Sequence, residues 1–254
     1  MTRLYTETFG QGKTIVLLHG WAMHSGVWRD FALELAKQYQ VIMIDLPGHG
    51  QSEPIACFDL ENLSRKIIKV VPEQPCCWLG WSLGATIVLD INQRFPKKIS
   101  ALILLAGNPQ FTRTEDWPGI NNEFFLAFRA SIENNGDTAL LRFLLLLLEG
   151  TDEAKVLANK LKQAFLQYKI PTKETLLGGL DILLSADLRW AFSATKCPVS
   201  LIFGGNDGLV PVSVGQAMQE IHPGCQVNVI DSAGHVPFLS HQQQVIRVIQ
   251  GFID

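Results

Sequence analysis

The sequence contains no C-x-x-C pair and no His/Cys cluster at zinc-binding spacing, so neither a dithiol redox motif nor a structural zinc site can be read from it. Cysteines number five, an odd count, with Cys76 and Cys77 adjacent. That pattern reads as buried reduced thiols rather than a disulfide framework. A basic excess is missing too. Lys and Arg total 21 against 24 Asp and Glu, a net charge of −3, which argues against a general nucleic-acid binder. The most apolar window, 140–148, contains Arg142 and falls short of the roughly 20 residues a membrane span needs. The opening Met1-Thr2-Arg3-Leu4-Tyr5-Thr6-Glu7 lacks the apolar core of a secretory signal, so a cytoplasmic location is expected. No internal repeat or low-complexity linker stands out.

What remains is 254 residues, 47% hydrophobic and 18% charged, enough for one large α/β domain or two small ones. Short β-like runs at 14–18, 40–44, 76–81, 101–106, 198–203 and 226–230 alternate with helical patterns. The helices fall at 28–38, 60–71, 83–94, 212–221 and 242–252. Continuous apolar strands alternating with helices predict an α/β fold with a mostly parallel central sheet and helices on both faces. Between 111 and 195 no strand is convincing. Helices are expected there at 124–132, 138–149 and 153–168, broken at Asn134-Asn135-Gly136 and Gly150-Thr151-Asp152. The expected organisation is a core of 1–110 and 196–254, with 111–195 inserted before the late strands as a helical cap over the strand ends, where ligands bind in open α/β sheets.

Gly80-Trp81-Ser82-Leu83-Gly84 sits between a strand and a helix. This is the G-x-S-x-G pattern of a nucleophile elbow, in which a sharp turn lifts the serine out of the core and exposes it. The bland alternative is a serine that merely caps the helix. Two further residues speak for the elbow. Asp207 follows the strand at 198–203, and His235 follows the last strand. Both lie at strand C-termini, the edge that carries Ser82. A serine hydroxyl needs a base to accept its proton, and the base needs an acid to orient it. The order Ser82, Asp207, His235 provides both. His19-Gly20-Trp21 follows the first long strand, where a second oxyanion donor belongs, and the Trp21 amide is the candidate beside the Leu83 amide. His19 reads as a brace for that loop. Asp45 reads as a loop anchor, with an alternative acid as the other possibility. His24, His49, His222 and His241 have no partner pattern. Nothing calls for a metal or cofactor.

These residues resemble the α/β-hydrolase superfamily. The resemblance is closest to the family of pimeloyl-[acyl-carrier protein] methyl ester esterases. It is carried by Leu17-Leu18-His19-Gly20-Trp21, Asp45-Leu46-Pro47-Gly48, the elbow with its Trp81, Trp117-Pro118-Gly119-Ile120, Gly178-Gly179-Leu180, Asp187-Leu188-Arg189 and Asp207-Gly208-Leu209-Val210-Pro211. It implies a cofactor-free serine carboxylesterase of biotin synthesis that removes a methyl group from the far end of a carrier-bound pimeloyl chain. Ser82 is then the nucleophile, His235 the base and Asp207 the orienting acid. The Trp21 and Leu83 amides hold the oxyanion, and Phe143 and Leu144 wall an acyl channel. The implied partner is an acyl carrier protein, with no nucleic acid or membrane involved and a monomer expected. A general short-chain carboxylesterase, a thioesterase or a lactonase would use the same triad. A non-catalytic binding protein is disfavoured by retention of all three residues.

From 154 to 173 the cap has five lysines and no acid. On the helix expected there, Leu157, Leu161, Ala164, Phe165 and Tyr168 share one face, and Lys155 and Lys162 fall away from it. With Arg142 they form a basic strip suited to an acidic carrier protein. A solvated helix face is the alternative.

Overall fold

The computed structural model describes residues 2–151 and 154–254. Seven strands form one sheet in the order β1-β3-β2-β4-β5-β6-β7. They are β1 (Thr6–Phe9), β2 (Thr14–Leu18), β3 (Gln40–Ile44), β4 (Cys76–Trp81), β5 (Ile99–Leu105), β6 (Val199–Gly204) and β7 (Gln226–Ile230). All neighbouring pairs are parallel except β1 with β3. Every residue of β4 and of β6 is buried, as expected for strands covered on both faces. The covering helices of the core are α1 (Arg29–Leu35), α2 (Leu60–Ile67), α3 (Leu83–Arg94), α8 (Ser213–Ile221), α9 (Pro237–Ser240) and α10 (Gln242–Ile253).

Three expectations for the core need correction. β1 is a seventh strand, half-buried in alternation at the sheet edge, and its four residues give too little pattern to read. The helix expected over 28–38 is a 3-10 turn, Ser25–Trp28, followed by α1, which ends at Leu35. The helix expected over 60–71 stops at Ile67.

The insert between β5 and β6 holds α4 (Asn122–Leu146), α5 (Ala154–Leu166), α6 (Lys173–Ser185) and α7 (Arg189–Ser193). The break expected at Asn134-Asn135-Gly136 is a kink inside α4, where Asn135 leaves helical geometry (φ −151°, ψ 66°). The next helix was expected from Glu153, which, with Asp152, lies outside the described residues. α6 and α7 had no counterpart in the sequence reading. Leu157, Leu161 and Phe165 of α5 are buried, and Lys155 and Lys162 are exposed, the amphipathic division read from the sequence.

The two ends of the insert are tied together. Arg189 bonds Asp187 (2.7 Å) and Asp116 (2.9 Å), and its guanidinium lies 5.5 Å from the Trp117 ring centroid. The Leu188 N–H donates to the Pro109 carbonyl at 2.8 Å. The Trp117 and Asp187-Leu188-Arg189 motifs thus meet at one point. A second tie runs from His24, whose Nε2–H donates to the Ala164 carbonyl of α5 at 2.6 Å. No described helix is long and apolar enough to cross a membrane. The cysteines are free, but Cys57 is exposed rather than buried.

Candidate active site

Ser82 ends β4 and starts α3 with φ 55° and ψ −118°, a region that costs a non-glycine residue on the order of 1–3 kcal/mol. Its glycine neighbours make the turn possible. A Cβ on Gly80 would lie 2.4 Å from the Gly84 carbonyl oxygen, and one on Gly84 2.4 Å from that of Leu18. Side chains at either position would force the strand and helix apart. The Ser82 hydroxyl makes no capping bond to α3, so the cap reading of this serine fails. The expectation of an exposed hydroxyl also fails. Ser82 is 6% exposed, because the insert covers it.

Asp207 follows β6 and His235 follows β7. His235 Nδ1–H donates to Asp207 Oδ2 at 2.8 Å. The other carboxylate oxygen, Oδ1, accepts the Leu209 and Val210 N–H groups at 2.8 and 3.0 Å. Both partners are buried. The acid is held by its own turn, and the histidine tautomer follows: Nδ1 carries the proton and Nε2 carries a lone pair. That Nε2 is buried and has no partner among the described residues. It makes no hydrogen bond to Ser82, a gap common in unliganded hydrolases. His235 is tied to the residue before Ser82: the Trp81 indole N–H donates to the His235 carbonyl at 2.9 Å.

The Trp21 and Leu83 N–H groups have no hydrogen-bond partner among the described residues. Leu83 is the first residue of α3, where orphan N–H groups and the helix dipole favour negative charge. The Trp21 loop is held from below. His19 Nδ1–H donates to the Gly20 carbonyl at 2.9 Å, and Nε2 accepts the Leu46 N–H at 2.9 Å. Burial lowers the His19 pKa to about 3, so the ring is neutral and acts as a brace. Asp45 is committed elsewhere. Its Oδ1 accepts from the Ser25 N–H (2.6 Å) and its Oδ2 from the Gln51 N–H (2.8 Å). That is the anchor role, and His235 is paired with Asp207 instead.

Ser82 opens onto a pocket whose other walls are apolar: Trp21, Phe111, Ile120, Phe124, Phe125, Phe128, Phe143, Leu146, Leu180, Leu183 and Leu209. Phe143 is there, packed edge-on to Trp21 with centroids 4.8 Å apart. Leu144 is buried but does not line the pocket, and Leu146 does. Only about 30 Å³ is open, room for one or two waters. Phe124, Phe125 and Phe128 of α4 were not assigned to the pocket from sequence. Their spacing at 124, 125 and 128 within an expected helix was the available signal.

Arg142 and Lys155 line a neighbouring groove of about 560 Å³ that shares Phe124 and Leu146 with the pocket. Leu145 in it is 64% exposed. Lys162, also exposed, does not line that groove.

Comparison with known proteins gives three findings. The α/β-hydrolase fold family matches residues 13–242. Among curated proteins, the chain is 36% identical over 250 residues to the pimeloyl-[acyl-carrier protein] methyl ester esterase of Methylococcus capsulatus, covering 98% of both chains. It is 35% identical over 255 residues to the protein of the same name from Yersinia pseudotuberculosis, covering 100% of this chain and 98% of the other. Among solved structures, an esterase from Exiguobacterium antarcticum superposes with a TM-score of 0.90 at 21% identity, over 99% of this chain and 95% of that one. This last likeness concerns the fold.

Proposed function

The chain belongs to the α/β-hydrolase family and, within it, to the pimeloyl-[acyl-carrier protein] methyl ester esterases; on that premise we propose that it hydrolyses the methyl ester of a carrier-bound pimeloyl chain in biotin synthesis, releasing methanol. The observation that carries the chemistry is the buried His235–Asp207 pair at 2.8 Å, with Nε2 left unpartnered at the edge where Ser82 opens onto an apolar pocket.

In this reading His235 Nε2 takes the Ser82 proton as Oγ attacks the ester carbonyl carbon. The carbonyl oxygen becomes an oxyanion and receives the free Trp21 and Leu83 N–H groups. Collapse breaks the bond to the methoxy oxygen, which leaves as methanol with the proton from His235. Water then attacks the acyl-serine, His235 again taking a proton, and as the acyl–Oγ bond breaks His235 returns that proton to Ser82 and the free acid departs. Asp207 keeps the imidazole in the tautomer that can accept, and stabilises the imidazolium that forms.

Residues 111–195 serve as the cap. The pocket walls match the methylene chain, and their closeness means that entry requires cap phenylalanines to rotate. Phe124 is 47% exposed and borders both pocket and groove, which makes it the side chain at the mouth. Arg142 and Lys155 on the groove suit an acidic carrier, while its apolar floor suits the linker that delivers the chain. We assign Lys162 no part in that groove. The enzyme works as a cytoplasmic monomer without metal or cofactor.

A fluorophosphonate probe tests the nucleophile. Labelling of wild type and not of Ser82→Ala is expected. Equal labelling of both would move the nucleophile elsewhere.

A further inference from the structure

Trp81 precedes the nucleophile, and the mechanism above gives its side chain nothing to do. It is nevertheless 1% exposed and reaches across 154 residues of chain to His235, whose backbone carbonyl accepts its indole N–H at 2.9 Å. That carbonyl has no other donor among the described residues. Relying on the triad reading above, we propose that Trp81 is a positioning residue for the base: its N–H sets where His235 stands relative to Ser82.

Asp207 fixes the rotation and tautomer of the imidazole. It does not fix the height of the loop that carries it. That loop leaves β7 through Ser232, which has positive φ (60°), and turns into the short helix α9. The Gly234 N–H is held by Thr151 at 3.1 Å, and a rigid strut from the peptide beside Ser82 to the peptide of His235 adds a constraint from the side of the serine. The indole is stiff, and it is clamped on several sides. Its ring stands 5.1 Å from Phe238, 6.0 Å from Trp28 and 5.9 Å from His235, centroid to centroid. On another side lies the oxyanion loop. A Cβ on Gly20 would come within 3.0 Å of Trp81 Cε3, so glycine there lets the ring lie flush against the chain. Packing alone would be met by any bicyclic ring of the same shape. Only the N–H answers the buried carbonyl, and leaving that acceptor unpaired is costly enough to move the loop.

The test separates shape from donor. Trp81→Phe removes both bulk and N–H, and 3-benzothienylalanine at position 81 keeps the bicyclic shape and removes only the N–H. With a small soluble ester, both variants should lose about tenfold or more in kcat while KM stays within about twofold, the pattern of a lost transition-state interaction. The benzothienyl variant should stay folded and melt only several degrees below wild type, as expected for one unpaired buried acceptor. On a His235→Ala background the same replacement should leave the residual rate unchanged, since a residue acting through His235 has nothing left to act on. Wild-type kcat in the benzothienyl variant would overturn the proposal. So would a loss of equal size on the His235→Ala background, which would make Trp81 a support of the fold or the oxyanion loop. The esterase reading fails separately, in the wild-type protein with its carrier-bound substrate.

Discussion

Thr151, in the turn after α4, accepts the backbone N–H of Gly234, the residue before His235, at 3.1 Å. Beside it the Gly150 carbonyl accepts from Asn206 Nδ2 at 2.8 Å, and Asn206 precedes Asp207. The turn after α4 therefore grips the peptides next to both Asp207 and His235. Fit is tight: a Cβ on Gly234 would lie 2.5 Å from the Glu149 carbonyl oxygen. Thr151→Val keeps the shape and leaves a buried N–H unpaired, at a cost of about 1–3 kcal/mol. A lowered melting temperature and a several-fold lower kcat are expected, with Thr151→Ser close to wild type in both. A valine variant with unchanged melting and kcat would mean that the contact holds nothing.

Asp207→Asn should lower kcat by about 10⁴-fold. The amide oxygen can still serve the Leu209 and Val210 N–H groups, so the side-chain NH₂ then faces His235 Nδ1. The imidazole must accept there, its proton moves to Nε2, and it can no longer take one from Ser82. Steady-state kinetics on a small ester reads this. Activity near wild type would deny Asp207 the acid role.

Acid should destabilise the fold through two histidines outside the triad. Burial lowers the pKa of both His19 and His49 to about 3, against about 6.5 unfolded. Between these values the unfolded chain holds more protons than the native one, so stability falls as pH drops from about 6.5 towards 3 and levels off below. His49 Nε2 has no partner among the described residues, so its removal sacrifices no bond at that atom. His49→Gln should flatten the decline of melting temperature between pH 7 and pH 4. The same slope in variant and wild type would show that His49 does not titrate in this window.

Reversing Arg142 and Lys155 to glutamate should raise KM for a carrier-bound ester and leave a small soluble ester unaffected, because rim charges act on encounter. Added salt should weaken the wild-type reaction with carrier and the variant's much less. Lys162→Glu should matter little, since Lys162 is off the groove. An effect of Lys162→Glu as large as that of the pair would place the carrier elsewhere on α5.

The parts of this site legible in sequence were those held by local rules. Ser82 is announced by glycines that the turn geometry requires, and Asp207 and His235 by their places after apolar strands. What escaped depends on contacts between distant segments. α6 contains Gly178-Gly179, a pair of low helix propensity. In the fold these glycines answer to neighbours: a Cβ on Gly179 would lie 2.6 Å from Trp21 Cδ1, and one on Gly178 2.8 Å from Phe58 Cβ. Packing there overrides helix propensity. The sequence predicts a helix over 124–132, but no pattern along the chain says which cavity its Phe125 and Phe128 will line. The resemblance implied Leu144 as a channel wall, whereas Leu146 lines the pocket beside Ser82. The Trp81–His235 bond joins the end of β4 to the loop after β7, which share no sequence signal.

The central claim is that Ser82 cleaves the ω-methyl ester of a carrier-bound pimeloyl chain. Its most direct test is the intact mass of a pimeloyl methyl ester carrier protein after incubation with enzyme, with methanol measured in the same tube. Wild type should convert the carrier to the free acid, lighter by one methylene unit, with one methanol per carrier, and Ser82→Ala should leave it unchanged. A carrier that keeps its methyl ester under wild type, or that loses the whole acyl chain instead, would contradict the account.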